Sequence, residues 1–320
     1  MSWTVPPESA AVRLDVWLTG REGMPSRAFV QKLIREGRVT VDGRPVRASH
    51  RVEPGERIEA EVPPPEPPWL IPEAIPLDVR YEDGDIVVVN KPPGMVVHPG
   101  AGVRSGTLVH ALLGRFGSMP DLGAPERPGI VHRLDKETSG LMVAARNREA
   151  HGRLAAAIER REVARRYLAV LWGGPPDEGV IDAPVGRSRR DRKKMAVTAD
   201  GKGARSRYIL RERFPFACLA EVALETGRTH QIRVHFAHRG HPVFGDPTYG
   251  GRQKALRGIS PERRRAAARA LAIMGRQALH AWRLEFLHPR TGESLAFEAE
   301  PPEDMGNLLE FLRGEARSGP

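Results

Sequence analysis

Seven prolines fall within fourteen residues, PPPEPPWLIPEAIP, at positions 63–76. A proline ring fixes φ and removes the backbone donor, so this stretch forms neither helix nor central strand. It reads as a stiff, extended linker. The chain is therefore expected to fold as two bodies, residues 1–62 and residues 77–320. The first is a small module, and the second is long enough for a sizeable core.

In the module, VRLDVWL reads as a short helix. Ser26 is placed to cap a second helix that runs through Glu36 and stops at Gly37. Val30, Leu33 and Ile34 share one face of that helix, and Arg27, Gln31 and Arg35 recur at four-residue spacing on another. RVTVDGRPV reads as a hairpin turning at Asp42-Gly43, and ERIEAEV as another alternating strand. Beyond the linker, DIVVVNKP, GLMVAARN, RRYLAVLWG, FACLAEVAL and LEFLHP are β-like runs. Residues 149–159 and about 261–274 read as helices, and the terminal GEARSGP as a frayed tail. This irregular mixture predicts an α+β domain around a mixed or antiparallel sheet.

The formal charge of +10 suggests a polyanionic partner. Residues 187–213 hold eleven Lys/Arg against three acids, and residues 252–276 hold eight against one, enough to account for the whole excess. Solvated basic loops are the plain alternative. The single cysteine, Cys218, permits no intrachain disulfide and lies in an apolar run, as a buried inert thiol would. No stretch approaches the roughly 20 apolar residues of a membrane span, and MSWTVPPESAAVRLD has no basic segment followed by an apolar one. A cytoplasmic location is expected.

Three segments carry chemistry. HRLDKETSG, residues 132–140, sets Asp135 among Arg133, Thr138, Ser139 and Gly140, as suits an exposed carboxylate held by backbone and hydroxyl donors. Asp is equally at home in ordinary turns. LETGRTHQIRVHFAHRGHPVFGDPTYGG, residues 224–251, packs Arg228, Arg233 and four histidines into a short span. His230, His235, His238 and His241 follow no zinc spacing, and neither HExxH nor paired Cys is present, so no metal is expected. NKPPGMVVHPGAG, residues 90–102, reads as a strand entering a rigid loop.

Together with PGIVHRLDKETSGLMVAARN, ARRYLAV and RQALHAWRLEFLHP, these segments resemble the RluA-type family of ribosomal pseudouridine synthases from about residue 12 to residue 312. The VVHPGAG form and the N-terminal module look most like the D member of the large-subunit enzymes. The module, on RLDVWL and SRAFVQKLIREGRVTVDGRPV, resembles the small alpha-L RNA-binding module, with Arg27, Lys32, Arg35 and Arg38 as its RNA-binding face. An amphipathic, merely solvated helix is the alternative there.

The family resemblance implies that Asp135 is the catalytic carboxylate, that Tyr167 stacks on the target base, and that Arg228 pairs with the carboxylate. It implies that Arg133 contacts RNA and helps hold a flipped base. It further implies a uridine-to-pseudouridine isomerisation in RNA, large-subunit ribosomal RNA or its precursor being the expected partner, with no cofactor, no DNA and no membrane. Two routes exist for the family: attack of the carboxylate on the anomeric carbon, or removal of the neighbouring ribose proton to give a glycal. Both need a carboxylate.

Three other functions compete. A non-catalytic RNA-binding or ribosome-assembly protein has no need of the trio Asp135, Tyr167 and Arg228. A kinase lacks its glycine loop and DFG here, and Leu134 interrupts the HRD-like sequence. A glycosidase using Asp135 and Glu137 lacks an aromatic sugar platform.

Overall fold

In the computed structural model, all residues are described except 10, 25, 63–69, 101, 121–126 and 318–320. The chain divides into two compact units, Met1–Trp69 and Leu70–Pro320. Of the expected linker, 63–69 lies outside the described residues. The rest belongs to the second unit: the Glu73 backbone N–H donates to the carbonyl of His110, and its carboxylate accepts from the Gly106 N–H.

The first unit is built from β1 (Ser2–Thr4), α1 (Leu14–Trp17), α2 (Arg27–Arg35), β2 (Val39–Val41), β3 (Arg44–Pro45) and β4 (Arg57–Ala60). Its four strands pair in the order β1-β4-β2-β3. Ser26 caps α2 by accepting from the Phe29 N–H at 3.3 Å, and Gly37 follows with φ +72°. Asp42 and Gly43 both have positive φ, as a two-residue hairpin turn requires. Val30, Leu33 and Ile34 are buried together with Leu14, Trp17 and Ile58. The expected elements of this module are all present.

The second unit is built on a nine-stranded sheet. Its strands are β5 (Asp78–Glu82), β6 (Ile86–Lys91), β7 (Ser139–Ala145), β8 (Ala164–Trp172), β9 (Glu178–Asp182), β12 (Arg205–Arg213), β13 (Ala217–Leu224), β14 (Leu279–Leu287) and β15 (Ser294–Glu298). The order is β5-β6-β7-β14-β8-β13-β12-β9, with β15 beside β14. Among the described residues, only the β7–β14 pair is parallel. A short hairpin, β10 (Val185–Arg187) with β11 (Met195–Val197), stands apart. The domain is α+β with a mixed sheet, as the sequence predicts.

Helices cover both faces, which explains why strands such as IVVV are apolar at every position. On one face, Val87, Val89, Tyr167 and Ala169 pack with Leu108 and Leu112 of α3 (Leu108–Phe116) and with Ile232 and Phe236 of α5 (Gln231–His238). On the other, Ile86 and Val88 pack with Leu154 of α4 (Arg148–Glu159). Val170 and Trp172 pack with Leu271 of α7 (Pro261–Ile273), which follows the short α6 (Gln253–Arg257), and with Leu308 of α8 (Glu303–Arg317). The expected frayed tail is corrected here: GEAR is the end of α8, held by Met305, Leu308, Leu309 and Leu312 at helical spacing. Ser318–Pro320 lie outside the described residues.

Gly140 marks where β7 meets β14. Its φ is +116°, and a Cβ there would lie 2.3 Å from the Ala281 carbonyl oxygen. Only glycine permits this approach, at the start of the strand that follows the Asp135 turn.

Candidate active site

Asp135 sits in the turn entering β7, and its neighbours pin that turn through its backbone. Lys91, wholly buried at the end of β6, donates to the carbonyls of Pro92, Met95 and Lys136 at 2.8, 3.0 and 3.1 Å. Burial pulls its pKa down to about 7. Arg276 donates to the Glu137 carbonyl at 2.8 Å and holds Asp304 through two nitrogens. Ser139 bonds His280 at 2.9 Å. The Nε2 of His132 accepts the Val143 N–H at 3.1 Å, which leaves the ring proton on Nδ1. Burial, then the charge of Arg165, pushes His132 down to about 3, so it positions the turn as a neutral ring.

The Asp135 carboxylate is held from one side only. Its Oδ2 accepts from Arg233 Nη1 at 2.9 Å. Arg233 is fixed in turn by Asp246, with Nε–Oδ2 at 2.7 Å and Nη2–Oδ1 at 3.0 Å. The Arg233 side chain is 6% exposed, that of Asp246 0% and that of Asp135 17%. Burial opposes the Arg233 charge, and the bonds to Asp246 and then Asp135 outweigh it, raising its pKa. Asp135 Oδ1 accepts no hydrogen bond among the described residues; His230 Nε2 is 3.8 Å away. That ring bonds the Tyr249 hydroxyl through Nδ1 at 2.7 Å, and burial lowers its pKa.

The expected pairing of Arg228 with Asp135 is corrected: the partner is Arg233. Arg228 lies in an exposed loop before α5, and its Nε donates to the Gly203 carbonyl at 3.1 Å. His230 then takes a left-handed conformation, φ +57°, and starts the helix that carries Arg233 inward. Buried Gln231 fastens this turn, accepting from Thr226 and the Arg228 N–H and donating to the Arg205 carbonyl. Arg228 still lines the same cavity.

That cavity, ≈ 590 Å³, is lined by Asp135, Tyr167, Arg133, Arg165, Arg228 and Arg233 among others. Tyr167 is buried on β8, and burial raises its phenol pKa, keeping it protonated at neutral pH. Arg133 is exposed, with Nη1 3.1 Å from His98 Nε2.

Two histidines of the 230–241 segment, His235 and His241, serve the fold. His235 bonds Ser206 and the Ala183 carbonyl, and His241 bonds the Trp172 carbonyl. Among the described residues, Asp83, Asp85 and His288 come close enough to share an ion. Their atoms already hold a turn: Asp83 accepts from Tyr81, from His288 and from the backbone of Asp85 and Ile86.

In the module, three of the four expected RNA-binding residues face carboxylates. Arg27 reaches buried Asp15 at 2.9 Å, Lys32 lies 4.0 Å from Glu36, and Arg38 bridges Glu36 and Glu61. Arg35 is exposed.

A carboxylate with one unspent oxygen, in an arginine-lined cavity beside a buried tyrosine, suits an enzyme acting on an anionic substrate. Comparison with known proteins specifies which. Residues 85–238 match the RNA pseudouridylate synthase family and residues 12–58 the S4 domain. An RNA pseudouridine synthase of Bacillus subtilis, YlyB, is 44% identical over 311 residues, covering 97% of each chain. The ribosomal large subunit pseudouridine synthase D of Xanthomonas campestris is 44% identical over 312 residues, covering 98% of this chain and 92% of that one. The solved structure of human RNA pseudouridylate synthase domain containing 1 shares the fold, with a TM-score of 0.56 at 24% identity over 78% of this chain and 97% of that one. The chain belongs to the RluA-type family of RNA pseudouridine synthases. Among the described residues no helix is long and apolar enough to cross a membrane.

Proposed function

We propose that this enzyme converts particular uridines of large-subunit ribosomal RNA to pseudouridine in the cytoplasm, with Asp135 as the acting carboxylate. The observation that carries the reading is the asymmetry at Asp135: Arg233 fixes Oδ2, and Oδ1 stays open to the cavity. The relatives named for the large ribosomal subunit support the choice of RNA.

A uridine inside a helix hides its glycosidic bond, so the base leaves the stack to react, at a cost of a few kcal/mol. The cavity, ≈ 590 Å³, is within the roughly 300–1,000 Å³ usual for small-molecule sites and takes one nucleotide. Arg133, at its wall, is placed to fill the vacated space. Tyr167 offers a stacking face worth roughly 1–3 kcal/mol. Asp135 Oδ1 either attacks the anomeric carbon or removes the adjacent ribose proton. The uracil stays in the cavity, turns and rejoins through carbon five. Removal of the carbon-five proton falls to a base beside the ring; Tyr167 fills that role only after losing its own proton.

Arg228 at the rim, and Arg27, Lys32, Arg35 and Arg38 on the module, are assigned to RNA contact, Arg35 foremost because no carboxylate engages it among the described residues. The test is carbodiimide primer-extension mapping of unmodified large-subunit ribosomal RNA after incubation with the protein. Stops at discrete uridines are expected. Their absence there, and on small-subunit and transfer RNA, sinks the proposal.

A further inference from the structure

Three arginines are buried among the described residues: Arg165, Arg233 and Arg276. Arg233 holds two carboxylates and Arg276 holds one with two carbonyls. The side chain of Arg165, a residue 8% exposed, has neither an ion pair nor a hydrogen bond among the described residues, and its Nε is sealed from solvent. Its neighbour Arg166 makes the contrast sharper. One residue along β8, it turns to the opposite side of the sheet and pairs with Glu221 at 2.9 Å.

A buried guanidinium without an anion is costly, and folds do not keep one for stability. This one lines the catalytic cavity with Tyr167 and Asp135. The wall beside it is shaped to admit it: a Cβ on Gly227 would stand 3.0 Å from Arg165 Nη1. Two nearby rings, His132 and His151, also carry Nδ1 atoms that are buried without a partner on the same cavity. Three side-chain nitrogens of this wall, Arg165 Nε, His132 Nδ1 and His151 Nδ1, are thus buried without a partner among the described residues.

We infer that Arg165 is the anion subsite of the catalytic cavity and takes a backbone phosphate of the flipped nucleotide. A planar guanidinium offers paired donors that match phosphate oxygens. The anion it lacks arrives with the substrate, so its charge is compensated only in the complex. That differential satisfaction spends the strain of the empty site on substrate binding. The inference rests on the reading of this cavity as a uridine site.

The test is calorimetric titration of the full chain with uridine, uridine 5′-monophosphate and uridine 3′-monophosphate, in the wild type and in R165M and R165K. At least one monophosphate is expected to bind the wild type about tenfold more tightly than uridine, or better. R165M erases that preference and R165K retains part of it. Melting gives the second readout. R165M leaves Tm unchanged or raises it, whereas R276M lowers it. No preference in the wild type, a preference that survives R165M, or a Tm loss in R165M matching that of R276M would each overturn the assignment. Binding needs no turnover, so the two readings fail separately. A phosphate preference that tracks Arg165, without pseudouridine in RNA, removes the proposed function alone. Pseudouridine formed without such a preference removes this inference alone.

Discussion

Asp15 in the module and Asp135 in the catalytic domain are both carboxylates held by arginine, and they are held to opposite ends. Asp15 is fully buried and both its oxygens are spent: Oδ1 accepts from Arg13, and Oδ2 from Arg13, Arg27 and Gln31. Its arginines are exposed and lie over it. Asp135 is the reverse. Its one arginine is buried and anchored by a second acid, while the carboxylate keeps an open oxygen toward a cavity. A structural carboxylate is satisfied completely; a working one is fixed in place and left incomplete.

Substitutions sharpen that contrast in descending order. Asp135→Asn keeps the shape and removes the acting oxygen, so pseudouridine formation falls by about 10⁴-fold or more, read by single-turnover nucleoside analysis. Arg233→Met leaves Asp135 and Asp246 facing each other without a cation. It lowers stability by about 3–5 kcal/mol and activity by at least about 10²-fold. Arg228→Met costs at most about tenfold, as suits a rim arginine that makes no bond to Asp135. If Arg228 proves the more sensitive of the two, the assignment of the carboxylate's partner is wrong.

Asp15→Asn acts on stability. Its arginines are half in solvent, so the loss is on the order of 2 kcal/mol, read from the urea midpoint of the module's unfolding. The acid response has the same origin. Hydrogen bonding from Arg13, ahead of that from Gln31 and Arg27 and against the cost of burial, holds the Asp15 pKa well below its ordinary value. The lowered folded pKa means a stabilisation fully present above about pH 4 and lost as pH falls toward the folded value. Asn at this position removes that acid sensitivity. The smallest effect is at Cys218: burial pushes its thiol up to about 12, so a disulfide reagent at pH 8 leaves the native protein unmodified and reacts once it unfolds.

Much of this was legible in the sequence because it is local. The cap at Ser26, the Asp42-Gly43 turn and the apolar strand runs each depend on a few consecutive residues. Asp135 and Tyr167 were found through their motifs, and both line the cavity. What escaped depends on where a turn sends the chain. Arg228 and Arg233 stand in one motif, and the left-handed residue His230 decides which of them enters the core. Ile232 and Phe236, four residues apart and buried in one core, are the available sign of a helix there. Asp246 and Lys91 are not legible in the sequence because the fold sets what they hold: Asp246 meets Arg233 on α5, and Lys91 ties its own loop to the distant Lys136 carbonyl. Arg165 and Arg166 are adjacent, and strand alternation alone separates them. α8 shows apolar residues at 305, 308, 309 and 312, a helical periodicity that the sequence displays just before GEARSGP.

The proposed isomerisation turns on one open oxygen of Asp135. Its most direct test is to incubate unmodified large-subunit ribosomal RNA with wild type and with Asp135→Asn, both shown to be folded and to bind that RNA equally, and to quantify pseudouridine by mass spectrometry of the nucleosides. Stoichiometric pseudouridine is expected with the wild type and none above background with the variant. Conversion by Asp135→Asn at a rate within tenfold of the wild type would contradict it.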